Sequence, residues 1–369
     1  MVAAAVASAG SSPASRIRAD EEVLFLPTCG SQADDGRAWR LPVHAWVFEY
    51  EEESLWRSAM VGKLLQVLEL GTSVADLARF RQRAWAFMVD SERDKVVRVW
   101  VAGRAYRLAA TGADGHARGE VLVTREGVRE REAEGWLEVA AGLAAGDEPR
   151  FAGRIWLVPP RGVSVVSDID DTIKVSEVLD RKQLVANTFL REHRAVPGMA
   201  PLYARWASAG AVFHYLSASP WQLYPLLSEF LELEGFPAGS WHLRQLRVKD
   251  SSFLDLFASP VAHKTEALEQ LLATYPERRF VLVGDSAEQD PELYAAIARD
   301  HPGQVMHVLI REVTGDERRV EEITGLLAGQ PVPHTLFRDA SELGTGIDIV
   351  VGGAAGTSGP DPSGSNRAP

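Results

Sequence analysis

Val163-Ser-Val-Val-Ser-Asp168-Ile-Asp170-Asp171-Thr172-Ile-Lys174 begins as an apolar, β-branched run and ends in three carboxylates within four residues. A run of that kind reads as a strand buried on both faces of a parallel sheet. Ligands of open α/β sheets bind beyond the carboxyl ends of the strands, which is where these acids stand. Asp168 and Asp170 alternate with Ile169, so a backbone that stays extended turns them to one side. Two like charges held there call for a cation or a shared proton between them. An acidic loop, with Asp171 and Thr172 capping the next helix or turn, would explain the same letters. The residues downstream decide between the two.

From residue 163 the rhythm is strand alternating with helix, the pattern of a parallel α/β sheet. Glu177–Arg194 reads as helical, and a helix from Met199 to Ala209 ends at Gly210. Ala211–Leu216 is a strand that runs into Ser217-Ala-Ser219-Pro220-Trp221. Ser219-Pro220 reads as an N-cap with a first-turn proline opening a helix to Glu234, so Ser219 has a structural explanation and Ser217 does not. His263-Lys264 opens the next helix, and a lysine in a first turn opposes the helix dipole. Arg279–Val283 is a strand ending in Gly284-Asp285, with Asp290-Pro291 reading as another cap. Val305–Ile310 is a further strand, followed by a helix over Glu317–Leu327.

Strand ends of one parallel sheet meet at a common edge, so Asp168, Asp170, Ser217 and Asp285 can share one pocket with Lys264. Their chemistry is complementary. One carboxylate can attack phosphorus and a second can move the proton. Hydroxyl and ammonium groups can neutralise the transferring oxygens, and hard carboxylate oxygens suit Mg²⁺. The quartet Asp168-x-Asp170-x-Thr172, Ser217, Lys264 and Gly284-Asp285-x4-Asp290 resembles the four motifs of haloacid-dehalogenase-like hydrolases. The resemblance implies a Rossmann-like parallel sheet with small cap insertions, with Asp168 as nucleophile and Asp170 as general acid/base. It also implies Ser217 and Lys264 as phosphate-binding residues, and Mg²⁺ held by Asp168, Asp285, Asp290 and the backbone carbonyl of Asp170. Dehalogenase members lack the second Asp, so Asp170 points to phosphoryl chemistry.

A longer resemblance runs through Ser167–Ser176, Tyr215–Pro225, Phe236-Pro-Ala-Gly239, His263-Lys264 and Gly284–Tyr294. These stretches look like the catalytic domain of actin-patch-type Mg²⁺-dependent phosphatidate phosphatases, which implies hydrolysis of phosphatidate to diacylglycerol through an aspartyl phosphate. Residues 352–369 stand where fungal members carry a long proline-containing tail, so a cytoskeletal role is not expected. A phosphomonoesterase acting on a phosphoprotein or soluble metabolite is the alternative, and a non-catalytic lipid- or protein-binding module a second one. Thr172–Leu216 and Pro220–Ala262 leave room only for helices and a flap, and so small a cap leans toward large or membrane-lodged substrates. Arg244, Arg247 and Lys249 form a candidate basic rim for a lipid headgroup, with a solvated loop as the plainer reading. Arg181, Lys182, Arg191 and Arg194 could serve likewise, and Trp221, Phe253, Leu254 and Phe257 are candidates to dip into an interface.

Upstream, residues 21–160 read mainly as short strands: Leu41–Tyr50, Lys95–Val101, Gly119–Thr124, Gly135–Ala140 and Arg154–Val158. A helical stretch from Glu53 to Phe87, interrupted at Gly71-Thr-Ser73, suggests two helices inserted in a β-rich, sandwich-like domain without chemistry of its own. The expected order is therefore a disordered tail (1–20), this accessory domain (21–160), the catalytic domain (161–330), an extension (331–351) and a Gly/Ser/Pro-rich disordered tail (352–369). Composition bounds the rest. A net charge of −12 disfavours nonspecific nucleic-acid binding. The single cysteine, Cys29, excludes an internal disulfide and a cysteine metal cage. No stretch approaches the ~20 apolar residues of a membrane span, and the first ten residues lack the basic start of a signal peptide. A soluble, cytoplasmic protein that meets membranes peripherally is expected, with protein partners unspecified.

Overall fold

The computed structural model describes residues 15–33, 36–50, 74–142, 148–245 and 261–343. Strands β1 (Glu21–Leu26), β2 (Thr28–Gln32) and β3 (Ala38–Glu49) come first, followed by helix α1 (Val74–Arg83) and a one-turn helix at Trp85–Phe87. Then come β4 (Asp90–Ser91), β5 (Arg98–Val101), β6 (Arg104–Arg107), β7 (His116–Thr124), α2 (Arg125–Glu132), β8 (Trp136–Ala141) and β9 (Phe151–Leu157). In this N-terminal unit β3 pairs with β1, β4 and β7, while β9-β8-β5-β6 form a second group that β2 joins to the first. All the pairings are antiparallel except β2 with β9. Alternate residues of both groups feed one apolar core, including Val23, Leu41 and Val43 from the first and Val99, Leu137 and Ile155 from the second.

Two boundaries differ from expectation here. Residues 15–20 are ordered: Ser15 pairs with Val96 at 3.0 Å and Ile17 is buried in the core. A lone isoleucine in a polar stretch carries no periodicity by which sequence could reveal this. Of the two inserted helices, α1 is described and residues 51–73 lie outside the described residues. Its apolar side does not cover the N-terminal core. Phe80, Ala84 and Phe87 belong to the core of the following unit, where Phe80 and Phe87 ring-contact Phe189 at 5.4 and 6.0 Å.

That unit holds β10 (Val163–Ser167), α3 (Arg181–Phe189), α4 (Met199–Ser208), β11 (Val212–Pro220), α5 (Tyr224–Glu234), β12 (Gly239–Arg244) and α6 (Val261–Thr274). It continues with β13 (Arg279–Asp285), α7 (Asp290–Asp300), β14 (Val305–Arg311), α8 (Glu317–Ala328) and β15 (His334–Phe337). Strand order is β12-β11-β10-β13-β14-β15 and every pair is parallel, as the alternation of elements predicts. Side chains alternate across the sheet into two cores. Val163, Val165, Phe213, Val281 and Leu309 face α3, α4 and α5, whereas Val166, Leu216, Leu282 and Ile310 face α6, α7 and α8. Each fully buried valine or leucine contributes about 1.5–3 kcal/mol by removal from water. The buried Arg278 clasps the link between the units, donating to the carbonyls of Pro159, Arg161 and Val163 and to Ser164 Oγ.

The expected end of this unit at residue 330 also needs correction. β15 adds a sixth strand, and Ala340 and Leu343 of a short terminal helix enter the core beside α3 and α4. A four-residue edge strand is too short for its pattern to declare itself.

Candidate active site

The chain leaves β10 for β11 and β12 on one side, then returns to β13 on the other, so the topological switch lies between β10 and β13. Asp168 follows the last residue of β10, and Asp285 ends β13. Switch points of open sheets open a crevice at the strand ends, and both acids line it. Helix α6 brings in Lys264 and α7 brings in Asp290. All four residues are buried, none exposing more than 2% of its surface.

Lys264 Nζ is the common partner. It lies 2.9 Å from Asp168 Oδ1, 2.7 Å from Asp290 Oδ1 and 2.8 Å from Glu288 Oε2. Thr172 Oγ1 donates to Asp168 Oδ2 at 3.1 Å and lies 3.3 Å from Asp285 Oδ2, bridging the switch. Asp285 Oδ1 accepts from the amides of Ala287 and Glu288, which shapes the loop carrying Asp290. Gly284 makes room for that loop. A Cβ there would stand 2.4 Å from Asp290 Oδ2 and 2.7 Å from its Cβ.

Burial pushes Asp168 well above the ordinary carboxylate range, and Asp290, Glu288 and Asp285 add repulsion that Lys264 only partly offsets. Asp285 is raised in the same way by burial, then by Asp290 and Glu288. Burial alone would lower Lys264, but Asp168, Asp290 and Glu288 together raise it well above the ordinary amine range. One ammonium thus pairs with three carboxylates. Ligand oxygens of Asp168, Asp285 and Asp290 lie within 4.8 Å of one another, and Asp290 Oδ2 is buried without a hydrogen-bond partner. An orphaned oxygen beside two repelling carboxylates fits a hard divalent cation, which takes oxygen ligands and relieves the repulsion.

Asp170 stands apart from that group. The extended strand ends at Ser167, and beyond it the two acids of the motif take different partners: Asp168 meets Lys264 and Thr172, Asp170 does not. Asp170 Oδ1 accepts from Ser176 Oγ at 2.5 Å and from Lys174 Nζ at 3.3 Å, and its Oδ2 accepts from Ser219 Oγ at 2.8 Å. Burial alone would raise Asp170, but Lys174, Ser176 and Ser219 outweigh it and hold the group below the ordinary carboxylate range. Asp171 does structural work: its carboxylate accepts from the amides of Ser176, Glu177 and Val178 at 2.7–2.8 Å.

Ser217 is buried within β11, three residues before its end, and its Oγ accepts from the amide of Ser219 at 3.0 Å. Neither expected helix cap forms. β11 continues through Pro220, and Gln289 precedes α7 with no side-chain cap, so Ser219 and Asp290 are both free to serve the site. Lys174, Ser176, Ser219 and Glu288 were not expected here. Glu288 gave the one visible signal, a fourth acid in the run from Asp285 to Glu292, but no spacing rule marked it. Of the basic rim, Arg244 ends β12 and its Nε donates to the carbonyl of Ala218 at 3.1 Å, while Arg247 and Lys249 lie outside the described residues. Trp221 is buried rather than poised at an interface, and Phe253, Leu254 and Phe257 lie outside the described residues. Arg181, Lys182, Arg191 and Arg194 are exposed around α3.

Residues 163–312 match the family model for the catalytic domain of phosphatidate phosphatase APP1. An uncharacterised protein of Schizosaccharomyces pombe is 31% identical over 170 residues, 45% of this chain and 28% of that protein. Phosphatidate phosphatase APP1 of Saccharomyces cerevisiae is 30% identical over 193 residues, 49% of this chain and 32% of that protein. The chain thus spans about a third or less of each relative's length. A solved structure described as a HAD-like phosphatase, from Mesorhizobium loti, aligns over 52% of this chain and 93% of its own at 12% identity. Its TM-score is 0.30, too low to bear on the fold.

Proposed function

We propose, from the match of residues 163–312 to the catalytic domain of phosphatidate phosphatase APP1, that the protein is a Mg²⁺-dependent phosphatidate phosphatase. The observation that supports this best is the buried meeting of Asp168, Asp285 and Asp290 with Lys264 at the switch point. A binding module has no use for so costly a group of like charges.

Asp168 attacks the phosphorus of the monoester, and the bond from phosphorus to the leaving alcohol oxygen breaks. Asp170 gives that oxygen its proton. Water then attacks the phosphorus of the aspartyl phosphate while Asp170 takes a proton from it and passes that proton to the departing phosphate, which restores both carboxylates. Asp170 rests as the carboxylate, its basic form, so in the first step it relays a proton brought by the substrate. Phosphate monoesters titrate near pH ~6 and so arrive partly protonated at neutral pH. Lys264 and Ser217 meet the transferring oxygens. Asp168, Asp285 and Asp290 would hold Mg²⁺ with the carbonyl of Asp170, and bound Mg²⁺ would supply charge neutralisation to the phosphoryl group.

Among the described residues no helix is long and apolar enough to cross a membrane. The test is a substrate panel with purified protein and Mg²⁺: phosphatidate in micelles, an aryl phosphate, a phosphopeptide and sugar phosphates. Phosphatidate should give the highest kcat/KM, and chelation should abolish turnover. A phosphopeptide or sugar phosphate in first place would move the assignment to a soluble or protein substrate. No hydrolysis of any of them would defeat it.

A further inference from the structure

β11 and β12 pair in register up to Ser217 with Leu243, and their next pair is Pro220 with Arg244. Ala218 and Ser219 therefore bulge out of the ladder beside the site. A bulge frees backbone groups and re-aims side chains, and two of the groups freed here have side-chain partners. Arg244 Nε donates to the carbonyl of Ala218, and the amide of Ser219 donates to Ser217 Oγ. What the bulge projects is Ser219 Oγ, which donates to Asp170 Oδ2. Just beyond, the indole of Trp221 is wedged into the N-terminal unit, with ring centroids 4.1 Å from Trp46 and 4.0 Å from His116, both edge-on.

The hydrogen bonds to Asp170 are uneven. A carboxylate oxygen has two lone pairs in its plane. Among the described residues, Ser176 and Lys174 engage both on Oδ1, whereas Ser219 engages one on Oδ2. We infer that Oδ2 is the proton-transferring atom of Asp170 and that Ser219 is a positioning residue that aims it, with the bulge set by Arg244. The inference rests on the acid/base role proposed for Asp170. Without Ser219 the carboxylate stays tethered at Oδ1 and pivots about it, so the group survives while its direction is lost. Arg244 then belongs to the reaction's scaffold.

The test uses the full chain with Mg²⁺ and a series of soluble aryl phosphates from p-nitrophenyl to phenyl phosphate. The readout is the dependence of kcat/KM on leaving-group basicity, which a loss of stability alone does not alter. Asp170→Asn provides the reference for lost protonation and should show the steepest dependence. Ser219→Ala should fall between it and the wild type. Its loss should be about 10-fold on phenyl phosphate and below ~3-fold on p-nitrophenyl phosphate, within the cost of a misplaced group. Ser219→Thr, which keeps the donor, should restore most of the activity. Arg244→Lys, which keeps the charge but not the Nε donor, should show the same signature and add little in the Ser219→Ala background. A wild-type dependence in Ser219→Ala, beside a steep one in Asp170→Asn, overturns the positioning role and leaves the acid/base reading standing. A wild-type dependence in Asp170→Asn removes the acid role itself, and this inference with it. Full additivity of Arg244→Lys and Ser219→Ala would detach Arg244 from the bulge.

Discussion

Single atoms decide the chemistry at the switch between β10 and β13. Asp168→Asn should lower turnover by ~10⁴-fold or more, on the scale of other nucleophile deletions. Steady-state kinetics with an aryl phosphate checks it, and near-wild-type turnover would unseat Asp168 as nucleophile. Gly284→Ala makes a subtler demand, because its methyl would occupy the space of Asp290 Oδ2. We expect a stability loss of about 1–3 kcal/mol, typical of overpacking, together with weaker Mg²⁺ binding. Urea unfolding and a calorimetric Mg²⁺ titration would show both, and unchanged Mg²⁺ affinity would mean that Asp290 is not a ligand. Sequence made Asp168, Lys264, Asp285 and Asp290 legible because each sits at a strand end or a helix start, where backbone pattern predicts direction. Ser219 was illegible because its direction comes from a bulge, and a two-residue slip between strands leaves no trace in hydrophobic alternation. Ser-Pro and Asp-Pro looked like helix caps for the same reason: local chemistry was satisfied on paper by a role that tertiary contacts claimed first.

At the level of elements, the turn after β10 carries as much as the strand. Asp171 closes it by gathering three consecutive amides, and its left-handed backbone is one that Asp and Asn tolerate better than most residues. Asp171→Ala should destabilise the protein by about 2–3 kcal/mol, since buried amides lose charge-assisted partners. It should also reduce activity, because Ser176 then loses its hold on Asp170 Oδ1. Asp171→Asn should cost less on both counts. Thermal unfolding and kinetics on one preparation would check the pair, and an Asp171→Ala variant as stable as wild type would confine the residue to the surface of the loop. The alternating strand and helix pattern did predict a parallel sheet, since β10, β11, β13 and β14 are apolar on both faces. It missed β15, which is short and lies at the edge. It also could not assign α1 to a partner, because periodicity shows that a helix has an apolar side and not which core receives it.

For the molecule as a whole, the histidines give a measurable signature. Burial holds His116 down to about 3 and His193, His242 and His307 down to about 4, against an ordinary 6.5. Their unfolded forms bind protons first, so stability is intact above pH 6.5 and falls as the pH drops toward 4. Asp168 and Asp285, raised in the folded chain, act with the opposite sign, so the measurement belongs at saturating Mg²⁺, which under the proposed function would keep them ionised. A urea midpoint that is flat or rising from pH 7 to 5 would contradict the neutral burial of these rings. The architecture also bears on how the chain comes to be made. Arg79 of α1 donates to the carbonyl of Leu190, a partner 111 positions later, and Phe80 rests on Phe189 beside it. At ~5–20 residues per second of synthesis, α1 waits several seconds or more before its own core exists. Through that interval its apolar face lies bare on the nascent chain, so a truncated product ending before Phe189 should be captured by chaperones or aggregate, while the finished chain escapes both.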